Sequence, residues 1–228
     1  MNAAVSKCFI LVLARREGGP QHKPLSLTTN TRSIDLYRLA ARSAADQVAE
    51  LYRTRRKELR FATVDVEGNT ASAGTSPYSW QVLRSQVESD AWWVSVRGRL
   101  SRTLDVKQVG RRVREATVGV VTPSDSLLIV VNQELSPPPE WRYLLWDTSP
   151  TTVTSVISAC QMDPYYWSGD VADRFAVLQT RLRVAMFSSV GEHLGLSRCD
   201  NDACYMRRDV FSVIELDEMR GCCAEHEQ

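Results

Sequence analysis

The residues best equipped for chemistry gather near the C-terminus, where "SSVGEHLGLSRCDNDACYM" (188–206) precedes "VFSVIELDEMRGCCAEHEQ" (210–228). Four of the six cysteines, Cys199, Cys204, Cys222 and Cys223, fall in the last thirty residues, with Cys8 and Cys160 apart. A disulfide scaffold spreads its cysteines through a short secreted chain. Thiols clustered at ligand-like spacing, in a chain with no clear signal peptide, point instead to metal and a reducing compartment. Two basic stretches offer a different chemistry. Arg53, Arg55, Arg56 and Lys57 form the first, and Arg97, Arg99, Arg102, Lys107, Arg111, Arg112 and Arg114 the second. Such cations suit phosphate contacts, and Trp92 and Trp93 beside them suit base stacking. The plainer alternatives are solvated helix faces for the arginines and core packing for the tryptophans.

Positioning such groups takes a folded core. The 228 residues suit one domain, 43% are apolar, and the net charge of +1 gives no global field to select a partner. No apolar run approaches the roughly 18 residues of a membrane helix. "CFILVLA" (8–14) reads as a buried strand rather than a short leader, although Lys7, Arg15 and Arg16 ahead of a Ser/Thr-rich loop keep a mitochondrial address open beside a cytoplasmic one. "SIDLYRLAARSAADQVAELYRTRRKEL" (33–59) has helical period, with Ser33 as cap and Leu36, Leu39, Ala40, Ala44, Val48 and Leu51 on one face. "RFATVDVEG" (60–68) alternates like a strand. "DAWWVSVRGRL" (90–100) suits a strand, "DVKQVGRRVREA" (105–116) a short helix, and "TVGVVT" and "SLLIVVNQEL" two strands divided by a turn. "WRYLLWD" (141–147) and "TSVISACQ" (154–161) are two more strands. From Asp170 the pattern turns helical, with Phe175, Leu178, Leu182, Ala185 and Met186 recurring, and Gly195 is a plausible C-cap. The chemistry-bearing stretch therefore sits at the end of a long helix behind a strand-rich region.

This arrangement resembles the archaemetzincins, zincin metallopeptidases whose signature is H-E-x-x-H-x-x-G-x-x-H-C-x4-C-x-M, followed by C-x-x-C. Gly191, Gly195, Leu196, Cys199, Cys204 and Met206 occupy matching positions at matching spacings. The chemical positions depart. The three metal-binding histidines are replaced by Ser188, Glu192 and Arg198, and the general-base glutamate by Ser189. A serine supplies no imidazole and takes no proton usefully near neutral pH, and arginine is a permanent cation where a divalent ion belongs. Shifting the register by one residue puts His193 at the second ligand but Ser189 at the first. His193 then reads as a surface or helix-end histidine.

The resemblance implies a zincin-like α/β fold in a single domain spanning 1–228: a mixed twisted sheet, long helices and a zinc-clipped C-terminal tail. The motif lies in 116–228, and 1–115 agree by layout. It also implies one structural zinc, with the family's four-cysteine set altered here to Cys199, Cys204, Cys223 and His226 and with Cys222 as a competing ligand. The function it implies is that of a catalytically inactive pseudo-metallopeptidase, kept as a structural or assembly subunit. Its partner would be a protein or large complex, with no membrane and no small-molecule substrate. Two alternatives stay open: an active zinc-dependent hydrolase with an atypical site, and an RNA-associated protein of a ribonucleoprotein particle using Arg97, Arg99, Arg111, Arg112 and Arg114.

Overall fold

The computed structural model describes residues 7–13, 31–53, 60–65, 83, 86, 90–98, 103–168 and 171–227. Strand β1 (Lys7–Leu13) is an unbroken apolar run because it is covered on both faces, as parallel strands inside α/β sheets are. It pairs in parallel with β2 (Arg60–Asp65) on one side and with β4 (Ser126–Val131) on the other. Strand β4 pairs in parallel with β7 (Thr154–Ser158), and β6 (Trp146–Ser149) closes the sheet as an antiparallel edge. The order is β2-β1-β4-β7-β6, a mixed five-stranded sheet; β3 (Thr103–Leu104) and β5 (Glu134–Leu135) form a separate parallel pair.

Side-chain alternation along β1 divides the core. Cys8, Ile10 and Val12 face helices α1 (Thr31–Arg53) and α6 (Arg174–His193). Phe9, Leu11 and Leu13 face α2 (Asp90–Ser95) and α3 (Val106–Ala116) on the other side. Helix α1 packs on α6 through Tyr37, Ala40, Ala41, Ala44, Ala45, Val48 and Tyr52. The alanines permit close approach, and Tyr52 stacks on Phe187 with centroids 4.7 Å apart. The face is rotated from the sequence reading: Leu39 is 61% exposed. Two further short helices, α4 (Ala159–Met162) and α5 (Pro164–Ser168), lead from β7 toward α6, and α7 (Val213–Glu218) lies in the tail.

Several expectations give way to structure. The 90–95 segment is helix α2, not a strand, because Trp92 and Trp93 bury edge-to-face at 5.0 Å in the core on that side of the sheet. "TVGVVT" forms turns; Thr117 caps α3 through its backbone N–H and Gly119 takes φ 89°. Of "WRYLLWD", only Trp146 and Asp147 enter β6. Strand β7 stops at Ser158, whose hydroxyl accepts from the Gln161 N–H and starts α4. Helix α1 begins at Thr31, so Ser33 lies inside it. The Gly, Pro, Ser and Thr content of 19–33 and of "AGTSPYS" (73–79) predicts loops; the first lies outside the described residues up to 30, and the second lies wholly outside them.

Candidate metal centre

Helix α6 carries the first half of the motif, and its interior position explains its composition. Twelve of its residues are buried, Ser188 and Ser189 among them. The helix ends in a Schellman turn: Gly195 takes φ 84°, the Leu196 N–H donates to the Gly191 carbonyl at 2.8 Å, and the Gly195 N–H donates to the Glu192 carbonyl at 3.0 Å. Gly191 is required for a second reason. A Cβ there would lie 2.6 Å from Met206 Sδ and 3.0 Å from the Tyr52 hydroxyl. Met206, fully buried, is thus seated directly against the helix.

Beyond Gly195 the chain folds back on itself. The Cys199 N–H donates to the Met206 carbonyl at 2.9 Å, and the Arg208 N–H donates to the Cys199 carbonyl at 2.7 Å. The tail pairs with the same loop, the Tyr205 N–H donating to Gly221 at 2.7 Å and the Arg220 N–H to Ala203 at 2.9 Å. Between them α7 is started by a capping box in which Ser212 and Glu215 satisfy each other's backbone N–H. Asp217 holds it to α6 through buried Arg181 at 2.6 Å.

This folding brings Cys199, Cys204, Cys223 and His226 together, with their donor atoms all within 4.8 Å of one another. Zn–S bonds of about 2.3 Å and a Zn–N bond of about 2.0–2.1 Å give a tetrahedron with edges of roughly 3.5–3.8 Å. The observed separations bracket that: 4.0 Å for Cys199–Cys223, 3.6 Å for Cys204 Sγ to His226 Nδ1, and 3.1 Å for Cys223 Sγ to His226 Nδ1. His226 Nε2 lies 2.8 Å from the Ser197 carbonyl, which can only accept. The proton therefore sits on Nε2 and the Nδ1 lone pair faces the sulfurs, the orienting contact that metal-bound histidines commonly have. The Cys204 sulfur also accepts the backbone N–H groups of Met206 and Cys223, each at 3.4 Å. His226 draws the Cys223 thiol below its usual range, whereas burial and the neighbouring sulfurs push Cys199 up. As thiolates the three sulfurs would repel one another unless a cation neutralised them, and the donor set fits a divalent, thiophilic ion. Cys222 is outside the quartet, and both it and Cys223 pack partly buried against the α1/α6 core.

The positions where the resemblance expects zinc ligands and a base make other contacts. The Glu192 carboxylate forms an ion pair with the Arg198 guanidinium, reached across the Gly195 turn. Arg198 also donates to the Arg207 carbonyl at 2.9 Å and lies 5.9 Å from the centroid of the Trp146 ring on β6. Burial raises the Glu192 pKa, and Arg198 works against that rise. Ser189 meets Thr148 of β6 at 3.2 Å, and the Ser188 hydroxyl is buried with no hydrogen-bond partner among the described residues. One carboxylate and two hydroxyls, with a cation among them, offer no tetrahedral zinc set.

His193 is at the helix end but buried, contrary to a surface reading. Its Nδ1 lies 2.6 Å from Ser126 of β4, and its Nε2 lies 3.2 Å from Ser155 of β7. Desolvation, then the nearby Arg114, lowers its pKa to about 4, so it is a neutral strut between helix and sheet.

Several described arginines of the basic stretch have partners within the chain. Arg114 is spent on structure, bonding the Thr154 hydroxyl and the carbonyls of Thr122, Asp125, Thr152 and Val153 at 2.8–2.9 Å. It thereby grips a turn in which Val153 sits at φ 44°, a conformation costing a β-branched residue ~1–3 kcal/mol. Arg111 and Arg112 share Glu115 at 3.2 and 3.7 Å. Arg97 is exposed beside a single bridge to Leu104. Arg55, Arg56, Lys57, Arg99 and Arg102 lie outside the described residues. Trp92 and Trp93 are packed in the core.

No protein-family model matches the sequence, and no curated protein matches it. Solved structures do. Archaemetzincin from Methanopyrus kandleri aligns over 100% of this chain and 95% of its own, with a TM-score of 0.54 at 12% identity. Archaemetzincin from Archaeoglobus fulgidus, complexed with malonate, covers 96% of each chain at TM-score 0.49 and 15% identity. A zinc-dependent peptidase from Methanocorpusculum labreanum covers 95% and 96%, also at TM-score 0.49 and 15% identity. The Methanopyrus kandleri match places this chain in the archaemetzincin fold.

Proposed function

We propose that this protein is a catalytically inactive, archaemetzincin-like pseudo-metallopeptidase that serves as a structural or assembly subunit. A single structural zinc, held by Cys199, Cys204, Cys223 and His226, secures its C-terminal tail. The observation that carries the reading is the Glu192–Arg198 ion pair at the end of α6. Where the resemblance expects two histidines, the chain has a self-neutralising pair, and where it expects a base it has Ser189, hydrogen-bonded to β6. The fold's packing requirements, Gly191 against Met206 and the Gly195 turn, are retained, while the side chains that would do chemistry are absent. Strand β6, a sheet edge with Trp146 and Asp147 beside Arg198, is the surface we assign to a protein partner, by strand addition. No helix among the described residues is long and apolar enough to cross a membrane. The test is an assay of the purified chain on a peptide library and an unfolded protein, with and without chelator. No chelator-sensitive cleavage is the expected outcome, and such cleavage would refute the proposal.

A further inference from the structure

The four candidate ligands are not equally placed. Cys204 is 1% exposed and His226 8%, so they form the floor of the site. Cys199 and Cys223 are partly exposed at its rim, their sulfurs facing each other at 4.0 Å across 24 residues of chain. Cys223 belongs to the irregular tail after α7. A disulfide needs sulfurs about 2.05 Å apart, so closure asks for roughly 2 Å of approach by two side chains already in register. Cys204 lies on the buried floor of the same site, and the two cysteines outside the C-terminal cluster belong to other contacts. Cys8 is in the sheet interior beside Ser126, and Cys160 starts α4 beside Ser158.

Resting on the zinc-clip reading, we propose that the clip is redox-exchangeable: a peroxide-class oxidant joins Cys199 to Cys223, the ion is released, and the tail stays fastened by the disulfide. In the first step one thiolate attacks the peroxide. An S–O bond forms, the O–O bond breaks, and the departing alkoxide takes a proton from water. In the second step the other thiolate attacks the sulfenic sulfur, the S–S bond forms, and hydroxide leaves and is protonated to water. Two thiolates are oxidised to one disulfide while one ROOH is reduced to ROH and water, with two protons drawn from solvent. Two of the four donors are consumed, and Cys204 with His226 cannot complete a tetrahedral set. The new bond spans the same segment that the ion closed, so the pairing of Cys204 with Gly221 persists through the exchange.

The test uses the full chain, purified under reducing conditions, freed of reductant and treated with one equivalent of hydrogen peroxide. Zinc is read before treatment by elemental analysis and during it by a chromogenic chelator, and disulfides are mapped by alkylation and peptide mass spectrometry. The expected result is about one zinc per chain at the start. One zinc should then be released per Cys199–Cys223 disulfide, with the ion taken up again on reduction. Cys222→Ser should behave as the wild type. A chain without zinc at the start refutes the clip and the exchange together. A zinc-loaded chain that keeps its ion, or loses it with linkage through Cys222 or with sulfinic acid alone, overturns the exchange and leaves the clip standing.

Discussion

Arg198→Met isolates the Glu192–Arg198 ion pair at the end of α6. The substitution keeps the volume of the stem and removes the cation, leaving the Glu192 carboxylate, 18% exposed, without its partner. Removing one member of a fully buried pair costs roughly 3–5 kcal/mol. Here both members retain some contact with water, the Arg198–Arg207 carbonyl bond is lost as well, and the discounted figure is about 2 kcal/mol at pH 7. For a chain of this size that is a melting-temperature loss of roughly 4–8 °C. The pH dependence carries the diagnosis. Burial already raises the Glu192 pKa and Arg198 opposes the rise, so without Arg198 the folded-state pKa climbs further. The variant's folded state then binds a proton that its unfolded state does not, and its stability relative to the wild type improves as pH falls from 7 toward 5. Glu192→Gln/Arg198→Met, with no charge to desolvate, should recover most of the loss at pH 7. Chemical denaturation of the four chains at both pH values makes the double-mutant cycle. A single-variant deficit that ignores pH, or no recovery in the double variant, would refute the reasoning.

Other perturbations have equally definite outcomes. His193 falls from its ordinary 6.5 to about 4 on folding, so its neutral form is favoured and its contribution is present above pH 6.5 and lost as pH drops through 4. The loss amounts to about 3 kcal/mol, measured as a slope in urea-denaturation stability over that window, and His193→Gln should flatten it. Gly191→Ala gains up to ~1 kcal/mol of helix propensity but drives a methyl into Met206, and a net loss of about 1–2 kcal/mol is expected by thermal melting. Full stability in that variant would show that Met206 is not held against the helix. Cys199→Ser and Cys204→Ser should lose zinc and melt lower, Cys160→Ser and Cys222→Ser should keep it, and elemental analysis separates the two groups.

The legible parts of this fold were those with local pattern. The apolar runs of β1 and β4, the periodic α1, α3 and α6, and the Gly195 turn all follow from residue type and spacing. The quartet was named through the resemblance, and the fold brings its donor atoms within 4.8 Å of one another. What escaped was set by partners distant in sequence. Trp92 and Trp93 alternate with nothing and became helical because the sheet face needed covering. Arg114 looked like a surface cation until the Val153 turn, 39 residues on, claimed its donors. His193 was misread as exposed because Ser126 and Ser155, which bury it, are 67 and 38 residues away. The Glu192–Arg198 pair spans only six residues, yet it forms only because the Gly195 turn doubles the chain back.

The most direct measurement is the zinc content of the native chain, purified without chelator and without added metal. The account predicts about one zinc per chain, lost in Cys204→Ser and unchanged in Glu192→Gln, because a single Cys3His site binds it. Two zinc ions per chain, or one ion sensitive to Glu192→Gln but not to Cys204→Ser, would put a metal back at the end of α6 and contradict the account.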